Sequence, residues 1–217
     1  MPEIRDPHAN QPVLTSGPKP SEARLTMILV HGRGASAEDI LALANEFESK
    51  DIAYVAPQAA NHTWYPYSFL APIAQNEPFI SSAFGVLSRL VATLSDDGVE
   101  ARRLGLLGFS QGACLTLEYA ARHAGRYAAV FGLSGALIGP PGTSREYAGS
   151  FDDTPLFLGC SDVDPHIPLD RVRESSEVFR GMRANVDERI YKRMGHTVNR
   201  DEIDAVNAVL SVASRPR

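Results

Sequence analysis

Short apolar runs alternate with segments of helical periodicity along most of the chain. Apolar runs of strand length lie at 24–32, 52–57, 103–109, 127–135, 154–160 and 187–196. Between them, apolar residues recur at helical spacing over 36–49, 77–94, 111–124, 169–184 and 199–213. This alternation predicts an α/β fold in which a mostly parallel central sheet carries helices on both faces.

The N-terminal stretch differs from this pattern because it is rich in proline. Prolines stand at positions 2, 7, 12, 18 and 20. Proline favours extended backbone and sheet edges, since it cannot donate to a strand ladder. We therefore expect residues 1–23 to form an extended arm, with an edge strand around "QPVLTS". Residues 24–217 are expected to form a single domain, an ordinary size for one hydrophobic core.

A loop after the second predicted strand has no periodic pattern. Residues 57–77 gather Trp64, Tyr65, Tyr67 and Phe69 among prolines. Loops of this length are uncommon in compact domains unless they have a function. The aromatic side chains could cover an edge of the core or line a binding pocket. We expect Trp64 and Tyr65 to contact substrate, with core packing as the alternative.

Charge and composition narrow the range of partners. The chain of 217 residues has a formal net charge of −5 and no long basic run, which argues against nucleic acid. No window approaches the roughly 18 consecutive apolar residues of a membrane span. The first residues lack the pattern of a secretory signal. The two cysteines, Cys114 and Cys160, are therefore expected to be free thiols of a cytoplasmic protein.

The strand-to-helix junction at 103–115 carries the strongest chemical signal. Gly108-Phe109-Ser110-Gln111-Gly112 reads G-x-S-x-G between a predicted strand and a predicted helix, the context that a nucleophile elbow requires. In so tight a turn, side chains at the two glycine positions would collide with neighbouring backbone. The pattern predicts that Ser110 is a catalytic nucleophile.

A serine hydroxyl needs a base, and that base needs an orienting acid. His196 follows the last predicted strand, and two carboxylates follow the strand before it. Parallel strands bring such residues to one sheet edge. We favour Asp162 as the acid, because it lies three residues past Gly159 where the loop leaves the sheet. Asp164 precedes proline and suits a helix start, but it remains the alternative.

Negative charge developing on a substrate carbonyl needs preorganised donors. The backbone N–H of Gln111 opens the helix beneath the serine. A second donor is expected from the loop "HGRGAS", residues 31–36, where the N–H of Arg33 is the candidate. His31 is expected to stabilise this loop by hydrogen bonding rather than to act as a base.

These motifs resemble a known family. "HGRGAS", "GFSQGA", "GCSDVDPHIP" and the "GH" before the last helix are similar to the phospholipase/carboxylesterase group of α/β-hydrolases, over about residues 24–213. The resemblance implies hydrolysis of carboxylic esters or thioesters through an acyl-serine intermediate, without metal or cofactor. It also implies that homodimerisation is plausible. Arg33 is a departure, since related acyl-protein thioesterases usually have an apolar residue there.

The expected function is thus that of a serine carboxylesterase that acts on small or medium-chain carboxylic esters, with thioesters as a further substrate class. No segment is long and apolar enough to form a large lid, so the site should be open to small-molecule esters. A small serine peptidase of the same fold is one alternative, and two others remain. One is a ligand-binding protein with little or no catalysis on a hydrolase fold, and the other is an acyl-protein thioesterase or lysophospholipase.

Overall fold

The structure, a computed structural model, describes residues 6–48 and 51–213. Three parts of the sequence predictions therefore lie outside the described residues. They are residues 1–5 of the arm, residues 49–50 of the domain, the first of which ends the first predicted helix, and residues 214–217 of the domain.

A seven-stranded sheet forms the centre of the fold. Its strands in chain order are β1 (Val13–Ser16), β2 (Leu25–Val30), β3 (Ile52–Pro57), β4 (Leu104–Phe109), β5 (Ala129–Leu133), β6 (Pro155–Ser161) and β7 (Asn185–Tyr191). In space they run β1-β3-β2-β4-β5-β6-β7. Only β1, among the described strands, is antiparallel to its neighbour. The predicted α/β class with a mostly parallel sheet is confirmed.

The first strand lies at the sheet edge. It pairs with β3 from Val13 opposite Pro57 to Ser16 opposite Tyr54. The stretch that contains "QPVLTS" is thus hydrogen-bonded into the same sheet as the rest of the chain. The boundary at residue 24 stays a prediction.

In the part of the chain that the structure describes, five α-helices cover the two faces of the sheet. They are α1 (Ala37–Leu43), α2 (Phe79–Asp96), α3 (Gln111–Arg122), α4 (Leu169–Gly181) and α5 (Arg200–Ala213). Helices α2, α3 and α4 share one apolar cluster with the sheet, while α1 and α5 share the other. Strand β2 shows why its sequence is continuously apolar: Met27 and Leu29 face the α1/α5 side, and Ile28 and Val30 face the α2/α3 side.

Two element boundaries differ from the sequence prediction by five residues or more. The first helix gives way to a 3₁₀ turn at Ala44–Glu46, and Phe47 is extended, with its ring buried against Tyr54. The last strand ends at Tyr191 rather than at 196, so His196 stands on a loop. In both places the sequence pattern that predicts the element continues beyond the residue at which the element ends.

In the described residues, no helix has the length and apolarity to cross a bilayer.

Candidate active site

Ser110 lies at a sharp turn between β4 and α3. Its backbone has φ 55° and ψ −120°, a conformation that non-glycine residues rarely adopt and that costs about 1–3 kcal/mol. Its N–H donates to the carbonyl oxygen of Leu133 on β5 at 2.9 Å. This bond holds the turn against the sheet, and the side chain stands at the carboxyl end of the strands.

The two glycines of the motif are required by close packing of backbone. A Cβ added to Gly108 would collide with the carbonyl of Gly112, and one added to Gly112 would collide with the carbonyl of Val30. Helix α3 therefore starts directly against β2 and β4. The steric reason predicted for both glycines is the one that the structure presents.

His196 connects the serine to a carboxylate. Its Nε2 lies 2.7 Å from Ser110 Oγ, and its Nδ1 lies 2.7 Å from Asp164 Oδ2. Because a carboxylate only accepts, Nδ1 carries the proton and donates it, which leaves Nε2 free to accept from the hydroxyl. The ring packs against Phe109, with centroids 5.2 Å apart.

The loop that bears His196 is anchored at both ends. Ser161 Oγ, at the end of β6, donates to the carbonyl of Met194 at 2.6 Å. Asn199 and Glu202 form a reciprocal cap at the start of α5, each backbone N–H donating to the other's side chain at 2.9 Å. This capping pair, which the sequence predicts, limits where the imidazole can lie.

Asp164 is fully buried at the side chain and fully hydrogen-bonded. Its Oδ1 accepts from the backbone N–H groups of His166 and Ile167 at 2.8 and 3.0 Å, while Oδ2 accepts from His196. Burial acts to raise the pKa of Asp164, but these hydrogen bonds outweigh it and lower the pKa below its ordinary value. The group is therefore an anion at neutral pH.

The preference for Asp162 disagrees with this geometry. Asp162 is exposed, and its Oδ1 accepts from the N–H of Arg193 at 2.7 Å rather than from the imidazole. It thus ties the end of β6 to the loop that follows β7. Asp164 does form the local turn expected of a residue before proline, but with only one oxygen, which leaves the other for His196.

The loop after β2 comes close to the serine from the other side. A Cβ added to Gly32 would lie 3.4 Å from the Cβ of Ser110. No carbonyl of the described residues accepts a hydrogen bond from the N–H of the next residue, Arg33. The N–H of Gln111 lies in the first turn of α3, where helix amides lack intrahelical partners. Gln111 and Arg33 both line the cleft beside Ser110, and their role as oxyanion donors stays a prediction.

His31 has a structural place in the same loop. Its Nδ1 donates to the carbonyl of Gly32 at 2.8 Å, and its Nε2 accepts from the N–H of Ala59 at 3.1 Å. Burial lowers its pKa, so the ring is neutral. These bonds match the expected stabilising role, with both ring nitrogens occupied.

Trp64 is not placed at the cleft, contrary to the prediction of substrate contact. Its side chain is wholly buried, packs on the ring of His31 and donates from Nε1 to the His31 carbonyl at 2.9 Å. Gln111 binds this segment too, since its side chain accepts from the N–H of Trp64 and donates to the carbonyl of Tyr65. The alternative of core packing holds for Trp64.

A cleft of about 420 Å³ opens beside Ser110 and His196. Tyr65 is among its lining residues although it is only 1% exposed and packs in the core, so substrate contact by Tyr65 stays a prediction. Sequence reasoning missed His166, whose ring meets that of His196 edge-on at 4.8 Å. The signal in the sequence that could have identified His166 is its position two residues after Asp164. The remaining lining residues are Gly32, Arg33, Ala35, Pro66, Tyr67, Ser68, Phe69, Phe109, Gln111, Cys114 and Ile167.

The described residues contain no group of metal ligands and no disulfide. Within 6–48 and 51–213, no three His, Cys, Asp or Glu side chains are grouped so that they could hold a metal ion. Cys114 and Cys160 are buried free thiols, and burial raises the pKa of each to about 12. Both are thus protonated packing groups.

With this geometry in view, the family model for phospholipase/carboxylesterase matches residues 12–214. The chain belongs to the phospholipase/carboxylesterase family. It is accordingly a carboxylic ester hydrolase, and the expected family and enzyme class are confirmed.

Relatives of known name and structure agree with this membership. The chain is 26% identical over 200 residues to an acyl-protein thioesterase 1 of Yarrowia lipolytica, covering 83% of this chain and 88% of the relative. It is 26% identical over 215 residues to the Kluyveromyces lactis protein of that name, covering 90% and 94%. A crystal structure of a phospholipase/carboxylesterase from Dyadobacter fermentans superposes with a TM-score of 0.91, at 39% identity, covering 96% of this chain and all of the other.

Proposed function

We propose that this protein is a serine carboxylesterase that hydrolyses small or medium-chain carboxylic esters through an acyl intermediate on Ser110. The observation that carries the proposal is the pair of 2.7 Å contacts that His196 makes, one to Ser110 and one to Asp164. This is the arrangement of nucleophile, base and orienting acid that acyl transfer by serine requires.

The reaction follows from these contacts in two halves. Ser110 Oγ attacks the ester carbonyl while His196 Nε2 takes its proton, and Asp164 stabilises the resulting imidazolium. The oxyanion that forms is stabilised by the N–H groups of Gln111 and Arg33. His196 then gives the proton to the leaving alcohol, which departs as the carbonyl reforms. A water, deprotonated by His196, attacks the acyl-serine and releases the acid, and the proton returns to Oγ.

The cleft supports the proposed substrate size. Its volume of about 420 Å³ is at the lower end of ordinary small-molecule sites, and aromatic and aliphatic side chains such as Phe69, Phe109 and Ile167 line it. Relatives named acyl-protein thioesterases make thioesters the second substrate class to test. A series of oxygen and sulfur esters from acetyl to palmitoyl would separate the two, and we expect the rate to fall for the longest acyl chains.

The cytoplasmic location and the homodimer remain proposals as well. The two buried free thiols support a reducing compartment. Sedimentation equilibrium of the purified protein would test the dimer.

Replacement of the nucleophile tests the catalytic proposal. Ser110→Ala should lower kcat for p-nitrophenyl butyrate by about 10⁴-fold or more, because only the oxyanion donors and substrate binding remain. Ser95→Ala, an exposed position on α2, is the matched control and should keep wild-type activity. A Ser110→Ala protein that folds normally and retains more than a hundredth of the activity would contradict the proposal, and would favour a different nucleophile.

A further inference from the structure

The side chain of Arg33 is held in place at the wall of the cleft. Its Nη1 donates to the carbonyl of Pro66 at 2.8 Å, and its Nη2 donates to the carbonyl of Tyr67 at 2.7 Å. These bonds join the loop after β2 to the aromatic loop across from it. The guanidinium is therefore pre-positioned on the same cleft that Ser110 and His196 line.

The positive charge of Arg33 is not neutralised by these partners. Both acceptors are neutral carbonyls, and two of the five guanidinium N–H groups are used, which leaves three. No carboxylate of the described residues forms an ion pair with Arg33. Arg145 and Arg189 pair with Asp or Glu. Arg103 and Arg126, like Arg33, donate to backbone carbonyls instead. Arg33 differs from those two because it lines the cleft.

The rest of the cleft carries no charge that would compensate. Among the described residues that line it there is no Asp, Glu or Lys, so Arg33 supplies its one permanent formal charge. The acid behind His196, Asp164, has a fully buried side chain and is already paired. Arg33 is thus the one permanent charge that the described residues place on the lining of the cleft, although the net charge of the chain is −5. A fixed cation with spare donors in an otherwise uncharged cleft fits an anionic oxygen group.

We propose that the substrate is an ester that carries a carboxylate or phosphate group, bound by the Arg33 guanidinium while Ser110 attacks the ester carbonyl. This inference rests on the proposed function and adds to it the charge of the substrate. The same residue would contact the substrate twice, through its backbone N–H at the oxyanion and through its side chain at the anion. The anion must therefore lie only a few bonds from the ester carbonyl.

Two pairs of substrates test the proposal, and they differ in where the anion stands. Monomethyl glutarate against methyl pentanoate places a carboxylate in the acyl part, and 1-butyrylglycerol 3-phosphate against 1-butyrylglycerol places a phosphate in the alcohol part. The readout is the ratio of kcat/KM for the anionic and the neutral member of each pair. We expect the wild type to prefer the anionic member of one pair, and the preference to weaken as salt is added.

Substitution of Arg33 should remove this preference. Arg33→Leu should lower the anionic-to-neutral ratio about 10- to 100-fold, the loss expected for hydrogen bonds to a charged group. Any effect on the aromatic loop or the oxyanion cancels in the ratio. Arg33→Lys, which keeps the charge, should retain part of the preference. Arg180→Leu removes the same charge from an exposed position on α4 and should leave the ratio unchanged.

Equal losses for both members of both pairs in Arg33→Leu would overturn the inference and leave the esterase proposal intact. If no ester is hydrolysed, the proposed function fails instead. Titration calorimetry with glutarate still decides about the anion site in that case. Tighter binding to the wild type than to Arg33→Leu supports it, and equal binding rejects it. If Arg33→Leu does not fold, the Arg33→Lys ratio and the salt dependence of the wild type decide.

Discussion

A buried carboxyl near the catalytic loop makes the stability of this protein sensitive to pH. Glu202 lies in the first turn of α5 with a fully buried side chain, and one oxygen accepts from the N–H of Asn199. The other oxygen has no hydrogen-bond partner among the described residues, and it abuts Gly159. Burial raises the pKa of Glu202 from 4.5 to about 7. Between pH 4.5 and about 7, the folded protein therefore holds a proton on Glu202 that the unfolded chain has lost.

The sign of the pH effect follows from this difference. Below the unfolded pKa both states are protonated, and Glu202 costs nothing. As the pH rises towards 7, only the unfolded chain ionises, so folding becomes less favourable, and the full cost is present above about pH 7. The difference between 4.5 and about 7 corresponds to about 3 kcal/mol, at 1.36 kcal/mol per pH unit.

Glu202→Gln should therefore stabilise the protein at pH 8 and have a several-fold smaller effect at pH 5, which lies just above the unfolded pKa. Glutamine keeps the acceptor for Asn199 but cannot ionise. For a chain of this size, about 3 kcal/mol corresponds to a rise in Tm on the order of 5–10 °C at pH 8. Tm is measured by scanning calorimetry at both pH values. Glu38→Gln, in the exposed first turn of α1, controls for the loss of a charge near a helix N-terminus.

A Glu202→Gln protein whose Tm falls by the same amount at pH 5 and pH 8 would refute the reasoning. Such a result would mean that the carboxylate is well solvated or paired in the folded state. A rise of equal size at both pH values would also refute it, because the gain would then not depend on ionisation.

Two further substitution pairs have expected outcomes. Asp164→Asn should lower kcat for a short p-nitrophenyl ester about 10⁴-fold, because the amide cannot stabilise the imidazolium. Asp162→Asn should retain most of the activity. The assignment of Asp164 would be contradicted if the two effects were reversed. Tyr54→Phe should leave stability unchanged or raise it by up to about 1 kcal/mol, since its buried hydroxyl has no hydrogen-bond partner in the described part of the chain. Tyr127→Phe loses a 2.8 Å bond to a backbone carbonyl and should cost about 1 kcal/mol in urea unfolding, and a larger loss for Tyr54→Phe would count against this argument.

Local patterns were sufficient for most of the fold and for the identity of two site residues. The alternation of apolar runs and helical periodicity predicted the parallel sheet, and the caps at Ser36 and Asn199 marked true helix starts. The glycines around Ser110 and the position of His196 after the last strand predicted where these residues lie. Each of these features depends on contacts that are close in sequence or on the general rules of parallel sheets.

Other features depended on side-chain directions that no local pattern specifies. Asp162 and Asp164 are two residues apart on one loop, and the path of that loop decides which carboxylate reaches the imidazole. Trp64 and Tyr65 are neighbours and both are buried in the core, but only Tyr65 also borders the cleft. Phe47 continues the helical spacing of apolar residues in the sequence, but its backbone is extended. Its burial comes from packing against the sheet. Tertiary packing decided all three.

Covalent labelling is the most direct measurement of whether the protein uses an activated serine. The native protein is treated with a fluorophosphonate, digested, and mapped by mass spectrometry. We predict stoichiometric modification on the peptide that contains Ser110, and at least 100-fold slower labelling in His196→Ala, because Nε2 accepts the proton of the hydroxyl. Modification elsewhere in the chain, or labelling of His196→Ala at the wild-type rate, would contradict the account.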